Sequence, residues 1–181
     1  MLAMDTSDSF EGKKCMPLNS AQDLMVFGLQ VLYDAENQLM QAMPQKVEAA
    51  SSPELKQALQ THMEQTQGQV QRLEQIFQQL GETLGQTENK VMQGILENGQ
   101  KIVGQGGAPE VLDAAVVAGA QIIEHYEIAS YGTARTYAQA LGQNEAAQLL
   151  EQTLQEEKQT DEKMTQLAEQ LVNPKAKEAG Q

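Results

Sequence analysis

VVAGAQIIEHYEIASYGTARTYAQAL, residues 116–141, decides the fold class. Val116, Ala120, Ile123, Glu127, Ser130, Ala134, Ala138 and Leu141 recur at steps of three or four, so they share one face of a helix. Nothing in the stretch alternates at period two, as a half-buried strand would. Gly142 directly after it is a natural stop. The stretch predicts a helix from about Pro109 to Leu141. Its apolar face is interrupted in the middle by Glu127, with Glu124 one turn earlier on the adjoining edge.

The same spacing recurs on both sides. A first helix is predicted from about Ser20 to Ala50, with Ser20 as cap and Asp23 three residues on. Pro44 should kink it, because proline removes a donor and crowds the preceding turn. Ser52-Pro53 opens a second helix that runs to about Leu80, with Gly81 as its stop. The last long helix starts near Asn144, a possible cap, and ends near Val172 before Asn173-Pro174. The segment 82–108 holds one short amphipathic stretch, Lys90–Val103, and a GQGG break. Two tight hairpins joined by one long crossover is the connectivity of a ferritin-like antiparallel four-helix bundle. The bundle is expected over residues 20–173, preceded by a disordered arm over 1–19 and followed by a polar tail over 174–181.

Composition supports an all-α chain. Gln, Ala, Leu, Glu and Met dominate, and aromatics are only 4%, so the core must be built from aliphatic side chains on helices. With 12 Lys and Arg against 25 Asp and Glu, the net charge is −13, the wrong sign for nucleic-acid backbones. No run of about 18 apolar residues is available to span a membrane. The polar faces carry Gln and Glu rather than the Lys and Arg that anionic lipid attracts. The start lacks a basic segment followed by an apolar one, so a cytoplasmic location is expected. A single cysteine, Cys15, excludes an internal disulfide framework.

The chemistry must lie where the apolar stripes are broken. In the first helix the stripe runs Leu29, Leu32, Glu36, Leu39, Met43, which turns Glu36 inward. In the second it runs Leu59, His62, Thr66, Gln69, Leu73, with Glu64 and Gln65 beside it. In the last it runs Leu150, Thr153, Glu157, then Thr160 or Asp161, then Met164. Seen singly, each has an ordinary reading. A mid-helix Glu on an apolar edge reaches for solvent or a neighbouring Lys, and a core His is hydrogen-bonded. Seen together at one level, converging carboxylates repel one another unless a cation lies between them. Oxygen-rich sites with a His suit iron or manganese, and bundle cores house them on facing helices. The candidate ligands are Glu36, His62, Glu64, Glu124, Glu127, Glu157 and Asp161. Thr66, Gln69 and Tyr131 are candidates to support them by hydrogen bonds. Tyr126 or Tyr131 could also bond a bound oxygen species, although ordinary packing is the simpler role for both.

IEHYEIASYGTA at Ile123–Ala134 resembles the YciF-like stress-protein family. LYDAENQL at Leu32–Leu39, SSPELKQAL at Ser51–Leu59, HMEQTQGQVQRLEQIF at His62–Phe77 and TLQEEKQTDEKMTQLA at Thr153–Ala168 support the resemblance. It covers about residues 20–173. It implies a ferritin-like bundle related to rubrerythrin and manganese catalase, a dinuclear iron or manganese centre, a homodimer and a role in stress. On that resemblance Glu36 matches the first-helix carboxylate, Glu124, His125 and Glu127 match the EHYE string, and Glu156, Glu157 and Asp161 match EEKQTD. Gln65 stands where relatives carry a carboxylate, and neither the second nor the last helix has a full Glu-x-x-His motif. Two functions follow as expectations. One is a metal-dependent protein acting on peroxide or oxygen. The other is a non-enzymatic homodimeric scaffold or partner-binding protein with a vestigial site.

Overall fold

Ser20 and Ser52 set where the first two helices begin in the computed structural model, which describes residues 17–85 and 87–179. The expectations for the N-terminal arm up to residue 16, Cys15 included, lie outside the described residues. Helix α1 spans Ala21–Ala49. Ser20 Oγ accepts from the Asp23 N–H at 3.0 Å, and the Asp23 carboxylate accepts from the Asn19 N–H at 2.9 Å. This nearly reciprocal pair satisfies donors that a helix start leaves free. Helix α1 continues through Pro44, whose side chain is exposed.

Helix α2 spans Pro53–Leu80 and is capped by Ser52 Oγ, which accepts from the Leu55 N–H at 3.3 Å. It closes at Gly81, where φ is +67°. There Gly81 N–H donates to the Gln78 carbonyl and Glu82 N–H to the Phe77 carbonyl. That left-handed turn suits glycine, which has no Cβ to clash. After α3 (Lys90–Val103), helix α4 (Pro109–Ala140) ends in the same way, with Gly142 at φ +72°.

The last helix differs from the sequence reading at both ends. Helix α5 spans Asn144–Leu167, and Asn144 is its first residue rather than its cap. The tight turn after α4 leaves only Gln143 at the cap position, and the Gln143 N–H is already given to the Ala138 carbonyl. At the far end the chain does not stop at Val172. A π-helical turn, Ala168–Val172, leads into α6, Asn173–Ala179. The backbone stays helical throughout, and Pro174 lies just after the π turn, whose wider hydrogen-bond spacing is where a helix takes up a proline that gives no N–H.

Hydrogen bonds fix the directions of the helices. Tyr33 to Glu74 makes α1 and α2 antiparallel neighbours. Arg72 to Thr153 and Glu156, with Thr160 to Gln65, does the same for α2 and α5. Arg135 to Glu151 and Gln121 to Thr165 run α4 against α5. Tyr131 to Glu36 and Asp113 to Ser51 run α4 against α1. The four long helices therefore form a closed ring of antiparallel neighbours, and α3 crosses back alongside α1 and α4. Asn89 pins the start of α3. Its Oδ1 caps the helix at the Met92 N–H, and its Nδ2 donates to the Val31 carbonyl and to Tyr126 Oη.

The apolar core falls into three clusters: one at each end of the ring, and a third, Ala35, Leu39, Met43, Met92 and Ile123, where α3 packs on α1 and α4. Leu29, Leu32, Leu73, Phe77, Tyr131 and Leu154 fill one end. Leu55, Leu59, Val116, Val117 and Met164 fill the other. Between them each helix contributes polar side chains that are fully enclosed: Glu36, His62 with Thr66 and Gln69, Glu124 with Glu127, and Glu157. Among the described residues no helix is long and apolar enough to cross a membrane.

Asp113 ties α4 to the α1–α2 turn. Its carboxylate accepts from Ser51 N–H at 2.6 Å, Ser51 Oγ–H at 2.7 Å and Ser52 N–H at 2.8 Å. Asp113→Ala leaves those donors without their charged acceptor, so it should lower unfolding stability by about 3 kcal/mol. Asp113→Asn, which retains one acceptor oxygen, should lose less. A urea titration followed by circular dichroism checks both.

Candidate metal centre

Helical spacing places five ionisable side chains at one level. Glu36 on α1, Glu124, Glu127 on α4 and Glu157 on α5 are fully enclosed, and His62 on α2 is 2% exposed. One ligand atom from each of His62, Glu124, Glu127 and Glu157 falls within 4.8 Å of the others. His62 Nδ1 lies 3.3 Å from Glu124 Oε1, and Nε2 lies 3.9 Å from Glu157 Oε2. Glu36 adjoins this group. Its Oε1 accepts from Tyr131 Oη at 2.5 Å, and its Oε2 has no partner among the described residues.

Burial dominates the electrostatics. It raises the Glu157 carboxyl to about 7. Burial, then the charge of Glu157, raises Glu124 to about 10. Glu36 and Glu127 lie well above the ordinary carboxylate value, again through burial first and like charges second. Burial also lowers His62 to about 4, with the nearby Lys46 charge adding to the effect. Without a cation this layer exists by keeping carboxyls protonated and the imidazole neutral.

The donor set fits a metal ion. Both carboxylate oxygens of Glu124, Glu127 and Glu157, and His62 Nε2, are buried with no hydrogen-bond partner among the described residues. A buried acceptor normally finds a partner, so this many convergent orphans need explaining. Oxygen donors with one imidazole suit iron or manganese.

The sequence candidates divide. Glu36, His62, Glu124, Glu127 and Glu157 come together. Glu64 does not. Two residues past His62 is about 200° round the helix, and its side chain is exposed. Asp161 stops short of the cluster, half-buried, with Oδ1 3.7 Å from His125 Nε2. Thr66 is enclosed beside the layer and its hydroxyl is unpartnered. Gln69 Nε2 donates to Glu156 Oε2 at 3.3 Å, beside the Arg72–Glu156 ion pair, and the Gln69 side chain also acts on Glu157. Tyr131 supports Glu36. Tyr126 Oη accepts from Asn89, a packing role.

Sequence reading missed Lys46 and Arg72. Arg72 binds Glu156 and Thr153, and so closes the α2–α5 side of the layer. Lys46 lines a cavity of about 530 Å³ between α1 and α3, with Gln41, Gln45, Leu96 and Gln100. Burial lowers its ammonium to about 8, while the Glu127 and Glu124 charges act the other way. Its only sequence signal is position: it is the basic residue of the last turn of α1, next to the inward Val47.

Residues 20–177 match the family described as a domain of unknown function, DUF892. The chain belongs to the DUF892 family. Among proteins similar to this DUF892 chain, protein YciF of Escherichia coli (strain K12) is 40% identical over 162 residues, which cover 89% of this chain and 98% of YciF. The crystal structure of the E. coli stress protein YciF aligns with a TM-score of 0.83 over 86% of this chain and 98% of that one. YcfI from Rhodopseudomonas palustris aligns at 0.81 with 36% identity, over 84% and 98%. A protein of Xanthomonas campestris, 22% identical, shares the fold at 0.71, over 90% and 100%.

The pKa directions give a pH signature for the metal-free protein. A carboxyl raised in the native state favours folding at low pH, and that advantage is lost as pH rises towards its native value. His62 acts oppositely, but its effect fades above 6.5, where the unfolded imidazole also loses its proton. Below about 8 Lys46 is charged in both. Between pH 6.5 and 7.5 the carboxyls therefore dominate. Stability should fall by about 1.4 kcal/mol per pH unit for each carboxyl still protonated in the native state. Urea midpoints across that interval check this, and a stability that rises with pH would contradict it.

Proposed function

We propose that the buried layer is a dinuclear iron or manganese centre in a ferritin-like four-helix bundle, and that the protein acts on peroxide or oxygen in a cytoplasmic stress response. The observation that carries this reading is the set of unpartnered carboxylate oxygens on Glu124, Glu127 and Glu157 facing His62. Two antiparallel hairpins joined by a crossover, with carboxylates from facing helices, is the arrangement in which such centres occur. The E. coli relative YciF is a stress protein, which supports the biological setting.

His62, Glu124, Glu127 and Glu157 would hold the metal, with Glu36 completing the set. A reduced metal pair held there would supply two electrons to peroxide or oxygen, each ion being oxidised by one. The chain's own groups do the rest. Tyr131 holds Glu36 Oε1 and leaves Oε2 free to face the centre. The Arg72–Glu156 pair fixes α2 against α5 at the level of the site. The two end clusters exclude water from both ends.

One observation favours the second reading, a homodimeric scaffold or partner-binding protein with a vestigial site. Gln65 and Thr160 lie three residues after His62 and Glu157, where the di-metal motif has a further ligand. They are neutral neighbours: Thr160 Oγ1 lies 3.4 Å from Gln65 Oε1, and its hydroxyl has a shorter acceptor in the Glu156 carbonyl at 3.1 Å. In support of a homodimer, Val91, Ile102 and Ile122 form an exposed apolar face on α3 and α4. Ile122→Glu should convert a dimer to a monomer by light scattering while helix content is retained.

Metal content decides between the two readings. Protein purified without chelator, or loaded anaerobically, should hold about two iron or manganese ions per chain. Glu127→Ala and Glu36→Ala should lose metal, and peroxide turnover with it. A wild-type chain that takes up neither metal leaves the scaffold reading.

A further inference from the structure

The layer is sealed, with its ligands at most 2% exposed, so a cation needs a way in. The α1–α3 cavity is an unfavourable door. Its inner residue is Lys46, a positive charge on the path. The α4–α5 edge is different. His125 follows Glu124 directly in sequence and points outward, 68% exposed. Asp161 follows Glu157 by one turn on α5 and is 21% exposed. Its Oδ1 is buried and unpartnered, 3.7 Å from His125 Nε2. That gap is too long for a hydrogen bond, and it separates an imidazole from a carboxylate, both ligand types for a divalent cation. The next donors inward are Glu124 and Glu157, fully buried, with all four carboxylate oxygens unpartnered.

We propose that His125 and Asp161 form a capture point on the α4–α5 edge that takes divalent cations from solvent and passes them to Glu124 and Glu157. Neither residue belongs to the final ligand set. The net charge of −13 draws cations to the molecule, and this pair sets where they enter. The inference rests on the metal reading above.

The test separates rate from occupancy. Metal-free full-length protein is mixed with Co(II), and the visible absorbance of the bound ion is followed in time and to completion. His125→Ala and Asp161→Asn should slow loading about tenfold, while final stoichiometry and helix content match the wild type. Glu64→Gln removes one exposed carboxylate on the opposite face of α2 and should load at the wild-type rate. Unchanged rates in the first two variants overturn the proposal. So does a lower final stoichiometry in Asp161→Asn, which would make Asp161 a ligand. Equal slowing in Glu64→Gln overturns it as well, because net charge alone would then explain the effect. A wild-type chain that binds no Co(II) refutes the metal reading itself, and the proposal falls with it.

Discussion

Four carboxyl groups and an imidazole share one buried layer, and the rest of the fold is arranged around that constraint. An ionised carboxylate buried alone costs more than the ~5–15 kcal/mol by which a domain is stable. The layer therefore exists only with compensation. Some of it is local: Tyr131 donates to Glu36, and Lys46 stands near Glu124 and Glu127. Some of it is protonation, as the raised carboxyls show. These devices leave the oxygens of Glu124, Glu127 and Glu157 without partners. A cation would satisfy them all at once, which no protein group among the described residues does.

Holding the layer in register requires rigid ends. The two end clusters provide them, one above and one below, the first with buried side chains from all four long helices and the second from α2, α4 and α5 with Val47 of α1 packed against it. Asp113 and Asn89 add fixed points between segments far apart in sequence. Asp113 reaches back 62 residues to Ser51. Asn89 bonds α1 and α4 at once. A helix that slipped by one turn would move its carboxylate about 5.4 Å and break the layer.

Much of this was legible from spacing. Apolar steps of three and four give the long helices, and a carboxylate on the stripe gives Glu36, Glu127 and Glu157. His62 was found the same way. The same rule rejects Glu64, which was named for its residue type although its angle takes it to solvent. Asp161 is one turn beyond the layer, a distance that periodicity on a single helix cannot judge. Lys46 was hidden because a long side chain can reach inward from the edge of a stripe. Asp113 was hidden because its partners are backbone groups of another segment, and sequence patterns do not show tertiary bonds. The course past Val172 was missed because proline was read as a terminator. A π turn just before Pro174 lets the helical run continue through it instead.

Helix α3 has a different standing from the other helices. Only Met92 among its residues is buried, it is pinned by Asn89 at its start, and its end runs into the glycines of GQGG. Elements with so few enclosed contacts open at low free energy while the remainder stays folded. Detaching α3 breaks no contact between the four long helices, yet it removes one wall of the cavity beside Lys46. Helix α3 thus lies as a cover over the frame of the four long helices, fastened through Met92 and Asn89. Amide hydrogens of α3 should therefore exchange with solvent faster than those of α4, and an opening of that kind would wet the cavity wall that carries Lys46.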